Sequence, residues 1–373
     1  MVGEAGSGGS WFQRFLLPGF ALKAVIIGGG YATGRELAEY FVPAGPWGGL
    51  AGILLATLIW SVVAALTFAL ARQLHAYDYR SFFRQLLGPG WVLFEAAYLI
   101  FVVLILAVFG AAAGAIGAAT FGWPELMGAV VLAAAILFAT AFGEAGVERL
   151  FKYASMLIYA VYALFLFFAL TRFGDRIGAG FAAAGPPADG WMAGGITYAS
   201  YNIVGAVVVL PGLRHLTSRR DALIAGAIAG PLTMLPAILF FFYPGIGDET
   251  LPSDFLLRQM AVPGFHLLFQ LMIFTALLES GVGAIHAINE RIAGAFEARG
   301  RAAPGTAGRA LIGAAILASC MFVAARVGLV DLIASGYRIL AWLFLAVYVV
   351  PLLGIGTYRL VKRGPSSMQE VRP

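Results

Sequence analysis

The chain has 373 residues, 61% of them hydrophobic and only 12% charged, with a mean hydropathy of +0.88. A soluble domain carries about 25% charge, so a water-soluble globular fold is excluded and a multi-pass membrane protein is implied. The net charge of +5 is no sign of nucleic-acid binding, because the basic residues sort by position along the chain, and the single cysteine, Cys320, excludes a disulfide framework.

Spanning a bilayer takes about 20 apolar residues. Ten segments qualify, near residues 14–42, 47–70, 91–119, 125–143, 150–171, 190–212, 221–243, 263–291, 307–327 and 331–358. Ahead of them lies a small, Gly-rich tail with no cleavable signal pattern. Between the second and third segments, Leu74 to Leu87 mixes Tyr, Phe and Arg and predicts an interfacial amphipathic helix. Between the seventh and eighth, Asp248 to Met260 is acidic and Pro-broken and predicts an external loop with a short helix.

With the N-terminus placed inside, seventeen Lys and Arg fall on the inner side and four on the outer, Arg172, Arg176, Arg258 and Arg326. By the positive-inside rule both termini are cytoplasmic in a cell (inner) membrane. Ten segments divide into five and five, entering from opposite sides, so any repeat is inverted. The expected organisation is a cytoplasmic tail at 1–13, a first repeat at 14–171, an external linker at 172–189, a second repeat at 190–360 and a cytoplasmic tail at 361–373.

The first segment carries Gly28-Gly29-Gly30-Tyr31-Ala32-Thr33-Gly34-Arg35-Glu36. Successive glycines cost about 1 kcal/mol each in a helix, so this segment is not one continuous helix. Thr33 and Glu36 have capping-box spacing and predict a half-helix restarting near Thr33. Backbone freed at this depth is tolerated only beside protein or a water-filled cavity; freed N–H groups suit anions and freed carbonyls suit cations. The sixth segment has a second break, Gly194-Gly195, followed by Thr197, Tyr198, Ser200, Tyr201 and Asn202. Ser200 or Asn202 is placed to cap a restart there. Glycine-interrupted segments at corresponding points of two halves point to a transporter's binding site. The candidate substrate-binding residues are Gly28, Gly30, Tyr31, Thr33, Gly34, Glu36, Thr197, Tyr198, Ser200, Tyr201 and Asn202.

Glu279, followed by Ser280, lies midway along the eighth segment, and an ionisable group at that depth is a functional candidate. Glu279, Gly283, His286 and Glu290 share one helical face leading toward the cytoplasm, a route for protons. Arg35 and Glu39 in the outer part of the first segment, with Asp331 and Arg338 in the tenth, are candidates for an external gate, with Glu36 or Glu39 the expected partner of Arg338. Lys23 is expected to snorkel to the cytoplasmic surface. Glu95 is expected at an interface, and Gly110, Gly114 and Gly117 form a small-residue packing face.

The string Ile26 to Glu36, followed by Glu39-Tyr40-Phe41, resembles the first helix of YkvI-type bacterial membrane proteins, and Tyr198 to Val204 looks like their sixth. That family in turn is similar to the amino acid–polyamine–organocation superfamily with the leucine-transporter fold. The resemblance implies an all-α integral membrane protein of ten helices, a five-plus-five inverted repeat with helices 1 and 6 broken around the substrate. It also implies an ion site in the eighth helix, carried over onto Glu279 and Ser280 with Ala276 as a backbone ligand. Glu279 departs from the hydroxyl pattern of sodium-coupled relatives, which speaks against simple Na+ coupling and favours H+ or a carboxylate-ligated cation.

The expected function is secondary active transport of a small polar organic solute, an amino acid or amine, by alternating access. The alternative is a ligand-binding membrane sensor on the same fold. No nucleophile–base pair or metal-ligand set marks an enzyme, and no resident cofactor or metal is expected. The expected partners are a small-molecule substrate and the lipid bilayer, with no nucleic acid; oligomeric state is not written in the sequence.

Overall fold

The computed structural model describes residues 11–141, 143–234, 249–297 and 299–362. Most of each predicted tail, residues 235–243 of the seventh segment and the side chain of Glu290 lie outside the described residues. Among the described residues every regular element is helical. The first predicted segment is three short helices, α1 (Leu17–Ile26), α2 (Gly29–Ala32) and α3 (Arg35–Tyr40). α4 (Gly45–Leu74) follows as a 30-residue helix with Pro46 in its first turn, ending at His75 in the left-handed region. The predicted interfacial helix is α5 (Tyr79–Leu87), begun by Asp78, whose carboxylate accepts from the Ser81 N–H at 2.9 Å.

α6 (Trp91–Phe121), α7 (Glu125–Ala141) and α8 (Gly143–Ala183) complete the first half. α8 runs 41 residues, through most of the stretch read from sequence as a linker, which shortens that loop to residues 184–190. The sixth segment is α9 (Trp191–Asn202) and α10 (Gly205–Val208). α11 (Arg219–Met234) precedes the predicted external helix, α12 (Pro252–Met260). α13 (Phe265–Glu297), α14 (Thr306–Val327) and α15 (Leu329–Lys362) close the chain, the last interrupted by π-helical turns at Leu332–Gly336, Leu345–Val349 and Leu352–Gly356.

Among the described residues, six helical stretches are long and apolar enough to cross a membrane: Arg35–Leu74, Tyr79–Phe121, Met156–Ala183, Phe265–Ala293, Thr306–Val327 and Leu329–Lys362. Residues such as Leu58, Leu93, Phe138, Leu311 and Trp342 are exposed on the outside of the bundle, where acyl chains would cover them. Lipid is as apolar as leucine, so the interior is held by close packing rather than by expulsion of water.

The helices pack as two groups. α1, α4, α9 and α11 pack on one another, and α6, α7, α13 and α14 form the second group. In the first, Gly226 and Gly230 of α11 lie against the backbone of α4 at Ala64, Ala65 and Thr57. Ser61 crosses the seam and donates to the Ala227 carbonyl at 2.9 Å. In the second, the small-residue face of α6 is used as expected, with Gly114 against Glu125 of α7 and Gly110 against Met321 of α14.

Polar ties hold the end of the bundle that carries α5. Arg14 pairs with Asp221 at the start of α11 at 2.8 Å, and the Thr217 hydroxyl donates to the same carboxylate oxygen at 2.7 Å. The Arg291 guanidinium lies 4.2 Å and 3.9 Å from the ring centroids of Tyr79 and Tyr98, and 3.8 Å from the Glu95 carboxylate. A cation between two aromatic rings fastens α5, α6 and α13 together.

Candidate functional site

The break in the first segment is built from backbone. α1 ends where the Gly28 N–H turns back to the Ile26 carbonyl at 2.8 Å, and Gly28 itself is extended. A Cβ on Gly28 would stand 2.8 Å from the Phe109 ring, and one on Gly29 the same distance from Leu277. α6 and α13 therefore press directly on the break. Gly34 has φ of 77°, a left-handed conformation that suits glycine, and it separates α2 from α3.

Glu36, one residue into α3, turns back toward α2 and is buried, with 3% of its surface exposed. Its carboxylate accepts from the Tyr201 hydroxyl at 2.7 Å, from the Asn202 side chain and from the Tyr31 N–H. A Cβ on Gly30 would collide with that carboxylate. Residues of the two interrupted segments, 165 positions apart, thus meet on one carboxylate. Around it stand Tyr40, Tyr198, Tyr201 and Tyr337, with centroid separations of 6.0 Å for Tyr40–Tyr198, 5.7 Å for Tyr198–Tyr201 and 4.4 Å for Tyr201–Tyr337. Trp60 of α4 holds the end of α9 by donating to the Ala199 carbonyl at 3.0 Å.

α12 lies over this cluster. The Ser253 N–H donates to the Thr33 carbonyl at 2.9 Å. The neighbouring Asp254 carboxylate takes Gln270 at 2.7 Å, His266 at 2.5 Å and Arg258 at 2.8 Å. The lid is thereby fastened to the break on one side and to α13 on the other.

On the far side of the break, Lys23 is buried, 3.6 Å over the Tyr159 ring, and the Glu279 carboxylate is the charge that acts on it. It does not snorkel: its ammonium stays inside the bundle over the Tyr159 ring. Ala276 and Glu279 are buried, Ser280 and His286 half-buried.

The fold recurs in solved structures. The chain superposes on MhsT in complex with L-phenylalanine with a TM-score of 0.63 at 16% identity, covering 95% of this chain and 97% of that one. The chain has the leucine-transporter fold. The Eremococcus coleocola manganese transporter aligns with a TM-score of 0.58 at 17% identity, over 94% of this chain and 81% of that one. A Na+-coupled sialic acid symporter aligns with a TM-score of 0.58 at 13% identity, over 91% and 79%. In sequence, the chain is similar to the uncharacterized membrane protein YkvI of Bacillus subtilis, 23% identical over 283 residues, or 73% of this chain and 79% of that protein. No family profile matches.

Within the leucine-transporter fold, some side chains sit where the sequence placed them and others do not. Gly28, Gly30, Tyr31, Gly34, Glu36, Tyr198, Tyr201 and Asn202 come together. Thr33 lies at the break: its hydroxyl donates to the Gly29 and Gly30 carbonyls at 2.8 and 3.1 Å and accepts from the Arg35 N–H at 3.4 Å, while Gly34 is the N-cap residue of α3. The capping box fails because the tertiary pull of Tyr201 draws Glu36 away from the Thr33 N–H. Ser200 donates to the Ile196 carbonyl of its own helix at 2.6 Å, Thr197 is half-buried away from the carboxylate, and α10 begins at Val204 with no side-chain cap.

Of the gate residues, Arg35 pairs with Glu39 at 2.8 Å and donates to the Glu249 carbonyl at 3.0 Å. Arg338 reaches the other Glu39 oxygen at 4.0 Å. Glu39, not Glu36, is therefore its partner. Asp331 is exposed and takes no part in this cluster. Sequence reasoning missed Tyr40, Trp60 and Tyr337 as site residues; Tyr40 stood in the quoted aromatic pair, and Tyr337 adjoins Arg338.

Proposed function

We propose that the chain is a secondary active transporter of a small polar organic solute, an amino acid or amine, working by alternating access. The observation that carries the reading is the buried Glu36 carboxylate, shared between two interrupted segments at the middle of the bundle. A helix interrupted inside a membrane leaves polar backbone that only a ligand, protein or water can satisfy. By name, two of the structural neighbours are a manganese transporter and a Na+-coupled symporter, and MhsT was solved with an amino acid.

In this reading ten segments span the cell membrane as two inverted repeats of five, with the first and sixth broken. The α5 end, rich in Arg and Lys, faces the cytoplasm with both termini, and α12 is the external lid. α1, α4, α9 and α11 rock against α6, α7, α13 and α14. Arg35, Glu39 and Arg338 close the outer path. Glu279, with Ser280, Ala276 and His286 along the same helix, couples transport to an ion. Lys23 already places a cation beside Glu279, which favours H+ over Na+ in that place.

The reading is tested on proteoliposomes by recording transient currents on addition of amino acids, amines and nucleobases at two pH values, with and without sodium. A solute-triggered current supports transport. Binding without current or counterflow would instead favour a sensor. Thr33→Ala is expected to weaken solute affinity about tenfold, since it removes the hydroxyl that ties the α2 turn, while Thr33→Ser retains it. Titration of binding by thermal shift checks this, and wild-type affinity in Thr33→Ala would remove Thr33 from the site.

A further inference from the structure

Resting on the reading that the α5 end of the bundle faces the cytoplasm, we infer that a cleft between the ends of α4, α5 and α15 binds a phosphate group, that of an anionic phospholipid of the inner leaflet.

The cleft has a volume of about 210 Å³ and is lined by Gln73 and Leu74 of α4, Gln85 of α5, and Arg359 and Lys362 of α15. That is room for several water-sized groups, as a phosphate with its oxygens requires. The lining carries two cations, two amides and no acid.

Hydrogen bonds between the three helices fix this lining. The Gln73 amide donates to the Arg359 carbonyl at 3.1 Å, the Gln85 amide donates to the Leu74 carbonyl at 3.3 Å, and the Arg359 guanidinium donates to the Gln85 carbonyl. These bonds engage carbonyls at the helix ends and spend one donor of each side chain. The cleft then still offers the rest of the guanidinium, the Lys362 ammonium and a second amide hydrogen from each glutamine. Against those donors the lining side chains set only the two glutamine oxygens. A surplus of charged N–H donors in one place matches an anion with several acceptor oxygens, and guanidinium with phosphate is the best-fitting of such pairs.

Neither cation is paired within the protein. Among the described residues, Arg359 and Lys362 make no ion pair, and the Lys362 ammonium lies 5.4 Å from the centroid of the Tyr358 ring. Arg14, Arg80 and Arg291, at the same end of the bundle, each reach a carboxylate.

The place of the cleft selects a lipid as the source of the phosphate. Tyr358 and Val361 stand beside the two cations on α15 and are 62% and 75% exposed, on a flank that acyl chains would cover. The interfacial helix α5 supplies the other wall. A basic pocket where an apolar flank meets an interfacial helix lies at the depth of lipid headgroups, and the cytoplasmic leaflet is the anionic one. A soluble phosphate would gain nothing from the flank.

The test follows the thermal midpoint of the purified full-length protein in neutral detergent as phosphatidylglycerol, phosphatidylcholine or glycerol phosphate is added. Phosphatidylglycerol is expected to raise the midpoint at lower concentration than phosphatidylcholine. Arg359 also holds α5, so the deciding variant is Lys362→Gln, which removes a side chain without a hydrogen bond among the described residues. It is expected to need about fivefold more phosphatidylglycerol for the same shift. Arg301→Gln removes the same charge from an exposed position outside the cleft and is expected to respond as the wild type does. Lys362→Gln responding like the wild type, both variants losing equally, the two lipids acting alike, or no protection by any of the three compounds overturns the inference. Glycerol phosphate protecting as well as the lipid keeps the phosphate site and gives it a soluble occupant; protection by phosphatidylglycerol alone keeps it as a lipid site. Orientation is read separately. Cys320 is buried, so an Arg301→Cys chain labelled from outside intact cells by a membrane-impermeant thiol reagent would reverse the topology and leave the binding result standing, while solute counterflow tests transport on its own.

Discussion

Glu279→Gln is expected to abolish the pH dependence of solute uptake and to lower the thermal midpoint in detergent by about 10 °C. Glu279 and Lys23 face one another from α13 and α1, both buried, with the Tyr159 ring 3.6 Å from the ammonium. Removing the Glu279 charge takes from the buried Lys23 ammonium an opposite charge that acts on it, at about 3 kcal/mol. Glutamine keeps the shape but neither carries nor releases a proton, so uptake measured across pH 5.5 to 8.5 should become flat (an on-the-order-of window around neutrality). Restoring neutrality separates the two effects. Lys23→Met with Glu279→Gln should recover most of the lost stability, because no buried charge is then left without an opposite one, yet should leave uptake insensitive to pH. A single variant that keeps the wild-type pH profile would remove Glu279 from coupling, whatever its stability.

The second large effect is on assembly. Gly226→Leu is expected to cost at least about 3 kcal/mol and to abolish the monodisperse folded protein in detergent. Any Cβ at Gly226 runs into the backbone of Ala65 and Ala64, and the adjoining Gly230 meets the Thr57 carbonyl and Ser61. At Gly226 the opposing surface is main chain, which cannot rotate aside as a side chain would. Relief requires α4 and α11 to separate along their length, which also strains the Ser61 hydrogen bond to the Ala227 carbonyl. Gly354→Leu serves as the control, because that position is exposed and a Cβ there meets nothing within 4 Å. Size-exclusion profiles of the two variants decide; an unaltered profile for Gly226→Leu would mean that the seam is looser than the structure has it.

How much of this was legible in the sequence depended on range. The break in the first segment was legible because glycine runs and left-handed positions act locally, and Gly28 to Gly30 and Gly34 bend the chain whatever surrounds them; in the sixth segment Gly194 and Gly195 lie inside the continuous α9, packed against the Tyr40 and Gly52 carbonyls, and the interruption falls at Ile203 and Val204 instead. The helices α5 and α12 were legible for a related reason: their composition differs from that of the spans on either side. Glu36 was given the wrong neighbour. Thr33 and Glu36 have the spacing of a capping box, and only a tyrosine 165 residues away, invisible to any local pattern, redirects the carboxylate.

Lys23 illustrates the same limit from the other side. A lysine near the end of a span ordinarily reaches for the surface, whereas this one lies buried against Tyr159, an aromatic contact that no local pattern shows. Asp331 failed as a gate residue for want of depth, since charge and position along the chain cannot say which face of a helix meets the vestibule. Gly226 and Gly230 were passed over while Gly110, Gly114 and Gly117 were not. The α6 glycines recur within one long span, whereas the meaning of the other two depends on how close α4 comes.

The bond that fastens α12 over the break joins two peptide groups, the Ser253 N–H and the Thr33 carbonyl. No side chain is party to it. An alanine scan of the lid would pass straight over this contact and score Ser253 as neutral, because every residue but one carries the same donor. Proline is the exception, and it is tolerated in the first turn of a helix, where Pro252 already stands. Ser253→Pro would therefore cut the tether while leaving α12 intact, a lesion that deletes a hydrogen bond without deleting a functional group.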